Sequence, residues 1–104
     1  MEIRGLTWDA EDDPDGNVQH IQKHGVTQWD VRDVLESAPV FKRARRESGP
    51  NPVYVAIGYT SAGRLLEVWG IHFQDPPHES YWRTITAMDA RRPYRDAYFR
   101  EKGG

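Results

Sequence analysis

Apolar and polar residues follow two different periods along this chain, and the change between the periods divides it into helices and strands. After a short apolar stretch at 3–8, apolar residues recur every three or four positions over about 17–24 and 28–37, which predicts two helices. From residue 40 onward, β-branched and aromatic residues form runs bounded by glycine and proline, as is typical of strands. Helical spacing returns near the end. The pattern therefore predicts the order β-α-α-β-β-β-β-α.

The later elements have clear limits in the sequence. The predicted strands lie at 40–46, 53–59, 64–72 and 81–87, and the final helix starts near Asp89 or Ala90 with Pro93 in its first turn. Because neighbouring strands are joined by short turns, we expect an antiparallel sheet with two N-terminal helices and one C-terminal helix, an α+β fold.

The second helix carries the strongest local signals. Thr27 with Asp30 three residues later resembles a capping box, and Val26 with Val31 has the spacing of a hydrophobic staple. Helical spacing also predicts a buried stripe, and its expected core residues are Trp29, Val31, Val34 and Leu35.

Composition limits the function classes. The 104 residues predict one domain, 1–104, and the absence of cysteine excludes disulfides and thiolate metal sites. No apolar run approaches the ~20 residues of a membrane span, and no signal-peptide pattern occurs, so we expect a cytoplasmic protein with no membrane partner. The net charge of −2 hides an asymmetry: residues 1–38 carry nine acids and three bases, whereas residues 39–104 carry seven acids and eleven bases. A nucleic-acid contact surface is therefore expected in the second part.

Lys23-His24-Gly25 ends the first helix. A cation and an imidazole at a helix C-terminus are favoured by the macrodipole, and such a pair at a rigid corner suits binding or cleavage of a phosphodiester. The same residues also fit an ordinary helix end, in which Gly25 is the residue after the cap. Both interpretations stay open from this motif alone.

Several segments together resemble one known family. These are Trp8-Asp9, Lys23-His24-Gly25-Val26, the hairpin Gly58 with Ser61-Ala62-Gly63-Arg64-Leu65-Leu66, and Arg83-Thr84-Ile85-Thr86-Ala87. From about Trp8 to Phe99 the chain resembles the BrnT family of bacterial type II toxins, which share a RelE-like fold.

The resemblance implies a metal-independent endoribonuclease with no cofactor and no metal, acting on RNA and neutralised by a cognate antitoxin. A heterotetramer with the antitoxin is one assembly that it implies, and the basic second part of the chain is the expected contact surface. The expected catalytic residues are Lys23, His24, Arg64 and Arg83.

The chain departs from the family pattern at two positions that matter for activity. His20 stands where relatives usually have asparagine, and Met88 stands where the last strand usually ends in arginine. A thioether cannot supply the missing charge, so the resemblance implies an attenuated enzyme. Arg91 or Arg92 could compensate from the final helix.

Metal-free RNA cleavage needs a base, an acid and cations around the phosphate. Strand alternation places Arg64 and His72 on one face of their strand, and Tyr81 and Arg83 share a face of the next. If those faces coincide, Arg64, His72 and Arg83 would ring a groove. The expected RNA-binding residues are Lys42, Arg43, Arg45, Arg46, His72, Tyr81, Arg91 and Arg92.

Other interpretations of the same residues stay open. Arg64 could be a solvated hairpin residue, Arg83 could pair with Glu67 across strands, and His72 could be an ordinary strand end. The basic run 42–46 is either an RNA-backbone stripe or a solvated edge strand that resists aggregation. His20 and His24 also have the i, i+4 spacing of a two-histidine zinc pair. The alternative function is a catalytically inactive RelE-fold binding module for a protein or RNA partner.

Overall fold

A computed structural model describes the backbone of residues 1–103 and the side chains of these residues except 46–48. The elements follow the predicted order. They are β1 (Gly5–Thr7), α1 (Asn17–Gln22), α2 (Gln28–Glu36), β2 (Val40–Ser48), β3 (Asn51–Tyr59), β4 (Leu65–His72), β5 (Tyr81–Asp89) and α3 (Arg92–Lys102). Over residues 1–103, no helix has the length and apolar character needed to cross a membrane.

The five strands form one mixed sheet in the order β1-β5-β4-β3-β2. The prediction of an antiparallel sheet is correct for β2 to β5 and wrong for β1, which pairs parallel with β5 through Gly5 and Tyr81. Adjacent strands along the chain can turn back on one another, whereas β1 is separated from β5 by both helices and three strands. The fold is therefore α+β with a mixed sheet, and β1 and β2 are its two edges.

One face of the sheet packs against α1 and α2. Val31 and Val34 of α2 are fully buried, and Leu35 packs beside them, as predicted. Trp29 is not in this core: it is 66% exposed. At about 100° per residue, Trp29 lies some 200° around the helix from Val31, so it points away from the buried stripe.

The start of α2 follows its local sequence. The side chain of Thr27 accepts a hydrogen bond from the Asp30 backbone N–H at 3.2 Å, and the Asp30 carboxylate accepts one from the Thr27 N–H at 2.9 Å. This confirms the predicted capping box. Because the cap fixes where α2 begins, it also fixes the length of the corner between α1 and α2.

The other face of the sheet packs against α3. Val55, Ile57 and Leu65 of the sheet form a second cluster with Ala97 of α3. The paired positions of β4 and β5 identify which residues share this face, because residues directly opposite on antiparallel strands project to the same side. Glu67 pairs with Met88, so both residues lie on the α3 face.

Candidate functional site

The corner at the end of α1 has the predicted form. α1 ends at Gln22, and Gly25 has a φ of 70°, the left-handed conformation that glycine adopts without strain. The Gly25 N–H donates to the Gln22 carbonyl at 2.9 Å, and the Val26 N–H donates to the Ile21 carbonyl at 3.1 Å. The chain therefore reverses here and leaves Lys23 exposed at the surface.

Arg64, the residue just before β4, binds this corner through its guanidinium. Its Nη1 donates to the Gly25 carbonyl at 2.5 Å and its Nη2 to the His24 carbonyl at 3.0 Å, while Nε pairs with Asp89 at 2.5 Å. The hydrogen bond that Arg64 donates to Asp89 raises the pKa of Arg64. A guanidinium has five N–H donors, so two remain for another ligand. Its three hydrogen bonds therefore fix Arg64 in the corner, and it is not a freely solvated hairpin residue.

His20 of α1 and His24, two residues beyond the end of α1, lie together, and the His24 carbonyl is the group that Arg64 contacts. The ring centroids of His20 and His24 are 5.7 Å apart in an edge-to-face arrangement, and both side chains are exposed. His20 Nε2 is 3.1 Å from the Thr86 hydroxyl of β5. A hydroxyl can donate or accept, so this contact orients the His20 ring in either protonation state. We call His20, Lys23, His24, Arg64 and Asp89 the α1 corner.

A zinc site at the α1 corner lacks the ligands it would need. Zinc is held by at least three protein ligands in its usual protein sites. Among the residues that the structure describes, no three His, Cys, Asp or Glu side chains are grouped so as to hold a metal ion. His20 and His24 are therefore a pair without a third such partner in this part of the chain.

Arg83 has a different environment from Arg64. Its Nη2 donates to Asp9 Oδ2 at 2.9 Å, and this same oxygen accepts a 2.9 Å hydrogen bond from the Asn17 backbone N–H. The hydrogen bond from Arg83 and that from Asn17 hold the pKa of Asp9 below its ordinary value. Arg83 does not pair with Glu67, the alternative considered above. It fixes the start of α1 through Asp9.

The predicted groove of Arg64, His72 and Arg83 does not form. Arg64 and His72 lie at opposite ends of β4, and eight residues of strand span roughly 26 Å. His72 pairs with Trp82, whereas Arg83 pairs with Ile71, so Arg83 lies on the opposite face of the sheet from His72. The prediction is wrong because alternation gives the faces of each strand without the register between them.

His72 lies instead in a partly buried position of its own. Its Nδ1 is 2.8 Å from the Gln74 side-chain amide, and its Nε2 is buried without a hydrogen-bond partner among the described residues. Burial lowers the pKa of His72, and the positive N-terminus lowers it further. The Tyr54 ring packs against it edge-on at 6.2 Å.

The two arginines at the start of the final helix have different surroundings. Arg91 donates to both oxygens of Glu67, at 3.0 and 2.7 Å, so its guanidinium is engaged in the fold. Arg92 is 93% exposed and lies 3.9 Å from Asp96. Arg91 therefore stands beside Met88, because Met88 pairs with Glu67.

The basic run 42–46 lies on β2, an edge strand, as one of the two interpretations expected. Three strand spacings, roughly 14 Å, separate β2 from β5, which carries Thr86. Lys42 pairs with Val55 and Arg43 with Tyr54, so successive basic residues alternate between the two faces. Arg45 is exposed, and the Arg46 side chain lies outside the described residues. The run is thus separate from the α1 corner.

Tyr81 serves in packing. Its ring covers Gly5, where a Cβ atom would come within 2.7 Å of Tyr81 Cε2, and it meets His78 edge-on at 5.5 Å. Since Gly5 is the paired neighbour of Tyr81 in the sheet, this contact supports the junction of β1 and β5.

Sequence reasoning missed the partners of the expected cations. His20 was considered as a departure from the family pattern and as half of a zinc pair, although its i, i+4 spacing from His24 was a signal for any paired-imidazole chemistry. Asp89 and Thr86 carry no local signal, because their contacts to the corner depend on how β5 lies against α1 and β4.

The chain matches no protein-family model and no curated protein.

Proposed function

We propose that this protein is a metal-independent endoribonuclease of the type II toxin class, with a RelE-like fold, and that the α1 corner is its active site. The observation that carries the proposal is the pair His20 and His24, 5.7 Å apart and exposed, beside Lys23 and the anchored guanidinium of Arg64. Two imidazoles and two cations on one surface are the groups that cleavage through the ribose 2′-hydroxyl requires.

The chemistry follows from these groups. One imidazole takes the proton of the 2′-hydroxyl, whose oxygen then forms a bond to phosphorus. The other imidazole gives a proton to the 5′-oxygen as its bond to phosphorus breaks. The products are a 2′,3′-cyclic phosphate and a free 5′-hydroxyl. Imidazole suits both roles near neutral pH.

The cations have separate tasks in this proposal. Arg64 is fixed by three hydrogen bonds, so its two remaining N–H groups form a preorganised contact for the charge that develops on the phosphate. Lys23 is exposed on a flexible side chain and acts as an electrostatic clamp on the RNA backbone. Arg83 acts through Asp9 and Asn17 as a positioning residue, because it fixes the start of α1, which carries His20 and leads into His24.

The proposal includes a cognate antitoxin and a cytoplasmic site of action, since cellular RNA is the substrate. Both come from the resemblance to the BrnT family, as does a heterotetramer of the two proteins. The antitoxin would act by covering the α1 corner or by blocking RNA from reaching it.

The test uses the purified protein, a short RNA and a chelator. We expect cleavage in the presence of EDTA, a 2′,3′-cyclic phosphate on the upstream product, and no cleavage when a 2′-deoxy nucleotide replaces the ribose at the scissile position. Induced expression should arrest growth, and the product of an adjacent antitoxin gene should restore it. A wild-type protein that neither cleaves RNA nor arrests growth contradicts the proposal.

One observation favours a second candidate, a RelE-fold binding module without catalysis. Arg64, Arg83 and Arg91 each already pair with a carboxylate, at 2.5, 2.9 and 2.7 Å. Cations so engaged stabilise a fold and offer less charge to a phosphate. Under this alternative, the protein binds its RNA or protein partner and leaves RNA intact, so the same cleavage assay distinguishes the two.

A further inference from the structure

A cleft of 340 Å³ lies between the edge strand β1 and α2, and none of the α1 corner residues lines it. From the N-terminal side it is lined by Ile3, Arg4, Gly5, Leu6 and Trp8, and from α2 by Gln28, Trp29, Arg32, Leu35 and Glu36. Residues 3–6, which run into the outermost strand of the sheet, line the cleft without a gap, so the cleft follows this edge of the sheet.

The apolar part of the cleft is unusual for a surface. Trp29 is 66% exposed, the most exposed large aromatic residue among those the structure describes. It stands over a floor to which Leu6, Trp8 and Leu35 contribute, and these three are only partly buried. Exposed aromatic residues grouped around a cleft are typical of protein contact sites.

The strand beside the cleft has an open edge. β1 is the outermost strand, and Arg4 N–H donates inward to the Ser80 carbonyl at 2.8 Å. The Tyr81 carbonyl accepts from the Phe73 N–H on the β4 side, so Trp82 is the residue of β5 whose N–H and C=O face β1. In the parallel register these groups lie between Gly5 and Thr7, which leaves the N–H and C=O of Leu6 pointing outward. An extended chain lying there can pair with this edge by strand addition.

Charge indicates the kind of chain that fits. Residues 1–38 contain three bases among nine acids, and two of those bases, Arg4 and Arg32, line this cleft. One acid of the lining, Glu36, lies 3.5 Å from Arg32. The charged side chains that line the cleft therefore sum to one positive charge, in a part of the chain that is otherwise acidic.

We infer that this cleft docks an extended segment of a partner protein, in which a bulky apolar side chain alternates with carboxylates. The apolar side chain inserts between Trp29 and Leu35, the carboxylates face Arg4 and Arg32, and the backbone pairs with Leu6. The inference is independent of RNA cleavage, since it involves none of the α1 corner residues.

The probe is a labelled, capped hexapeptide that alternates leucine with aspartate, and its matched control has lysine in place of each aspartate. Binding to the full chain is measured by fluorescence anisotropy, and the Trp29 indole N–H signal is followed by NMR. The acidic peptide should bind and shift the Trp29 signal, whereas the lysine peptide should bind at least about tenfold more weakly.

Three variants complete the test. Trp29→Ala should weaken binding of the acidic peptide by about tenfold or more, as for a hot-spot aromatic. Arg32→Ala should weaken it by roughly two- to fivefold, as for an exposed ion pair. Arg92→Ala, an exposed arginine on α3, should leave binding unchanged. Circular dichroism checks that each variant is folded. No binding of the acidic peptide at millimolar concentration, equal binding of both peptides, or binding insensitive to Trp29→Ala overturns the inference.

Discussion

The Glu67 carboxylate, which has no exposed surface, receives two hydrogen bonds from the Arg91 guanidinium, at 3.0 and 2.7 Å. The Arg91 backbone N–H at the start of α3 and the Trp69 indole N–H each add a bond at 2.8 Å. Burial raises the pKa of Glu67, but these hydrogen bonds outweigh it and hold the pKa below its ordinary value. Arg91 therefore joins α3 to the sheet.

The first prediction is that Arg91→Ala destabilises the fold by about 1.5–2 kcal/mol, because it removes two charge-assisted hydrogen bonds from a buried carboxylate. The expected loss lies at the lower end of the range for hydrogen bonds to charged groups, because Arg91 is 58% exposed and water screens its interaction with Glu67. Urea denaturation measures the change. The neighbouring Arg92→Ala should stay within about 0.5 kcal/mol of wild type, as expected for an exposed position. Equal effects of the two substitutions would contradict this account.

The second prediction concerns close packing between β4 and β5. A Cβ atom at Gly70 would lie 2.1 Å from Cε2 of the fully buried Trp82 indole. Gly70→Ala should therefore destabilise the fold by about 3 kcal/mol, because neither the strand nor the buried ring can move away easily. Thermal denaturation should show a lower midpoint for Gly70→Ala, and adding Trp82→Phe should give a smaller further loss than it gives in wild type. Full additivity of the two changes would contradict a direct clash.

The third prediction concerns pH. The pKa of His72 is lowered in the folded protein by burial and by the positive N-terminus, so the folded state binds a proton less readily than the unfolded state, whose histidine pKa is about 6.5. The neutral His72 ring therefore makes its full contribution to the free energy of unfolding above about pH 6.5. That contribution is lost as the pH falls toward the pKa of His72 in the folded protein. Stability measured in urea from pH 8 to 5 should fall more for wild type than for His72→Gln. Parallel curves for the two proteins would exclude His72 as the cause.

The fourth prediction revises an expectation from the motifs. The missing family arginine at Met88 suggested that Met88→Arg would raise activity. Met88 pairs with Glu67 and so lies beside the Arg91 guanidinium, whereas the contact of His20 on β5 is Thr86, two residues earlier. We therefore expect Met88→Arg to leave RNA cleavage within about twofold of wild type in a matched assay, since the new charge begins beside Arg91 and Glu67. A large gain in cleavage would show that position 88 does reach the reacting phosphate.

Local signals predicted the elements of this fold well. The capping box of Thr27 and Asp30 joins residues three apart, and the corner at Gly25 is formed within α1 and its next turn. Such contacts join residues that are close together in the chain, so the local sequence is enough to predict them. The same is true of the four antiparallel strands, whose turns and β-forming runs are adjacent in the chain.

Contacts between distant residues could not be predicted in this way. β1 pairs with β5 through Gly5 and Tyr81, and Arg83 reaches Asp9, 74 residues away. Arg83 lies opposite Ile71 and not His72, and the same strand pair changes register between Trp69 and Gly70, which no periodicity in the sequence marks. The candidate cations were identified, but their partners were not, because the partners depend on how the strands align.

The central claim is that His20 and His24 act together on RNA, and the most direct measurement is the single-turnover rate of RNA cleavage in EDTA. His20→Gln and His24→Gln should each lower the rate by about 10²–10⁴, the usual contribution of a general acid or base. His78→Gln replaces an exposed histidine outside the α1 corner and should leave the rate unchanged. A wild-type rate in either corner variant, or equal losses in all three, would contradict the account.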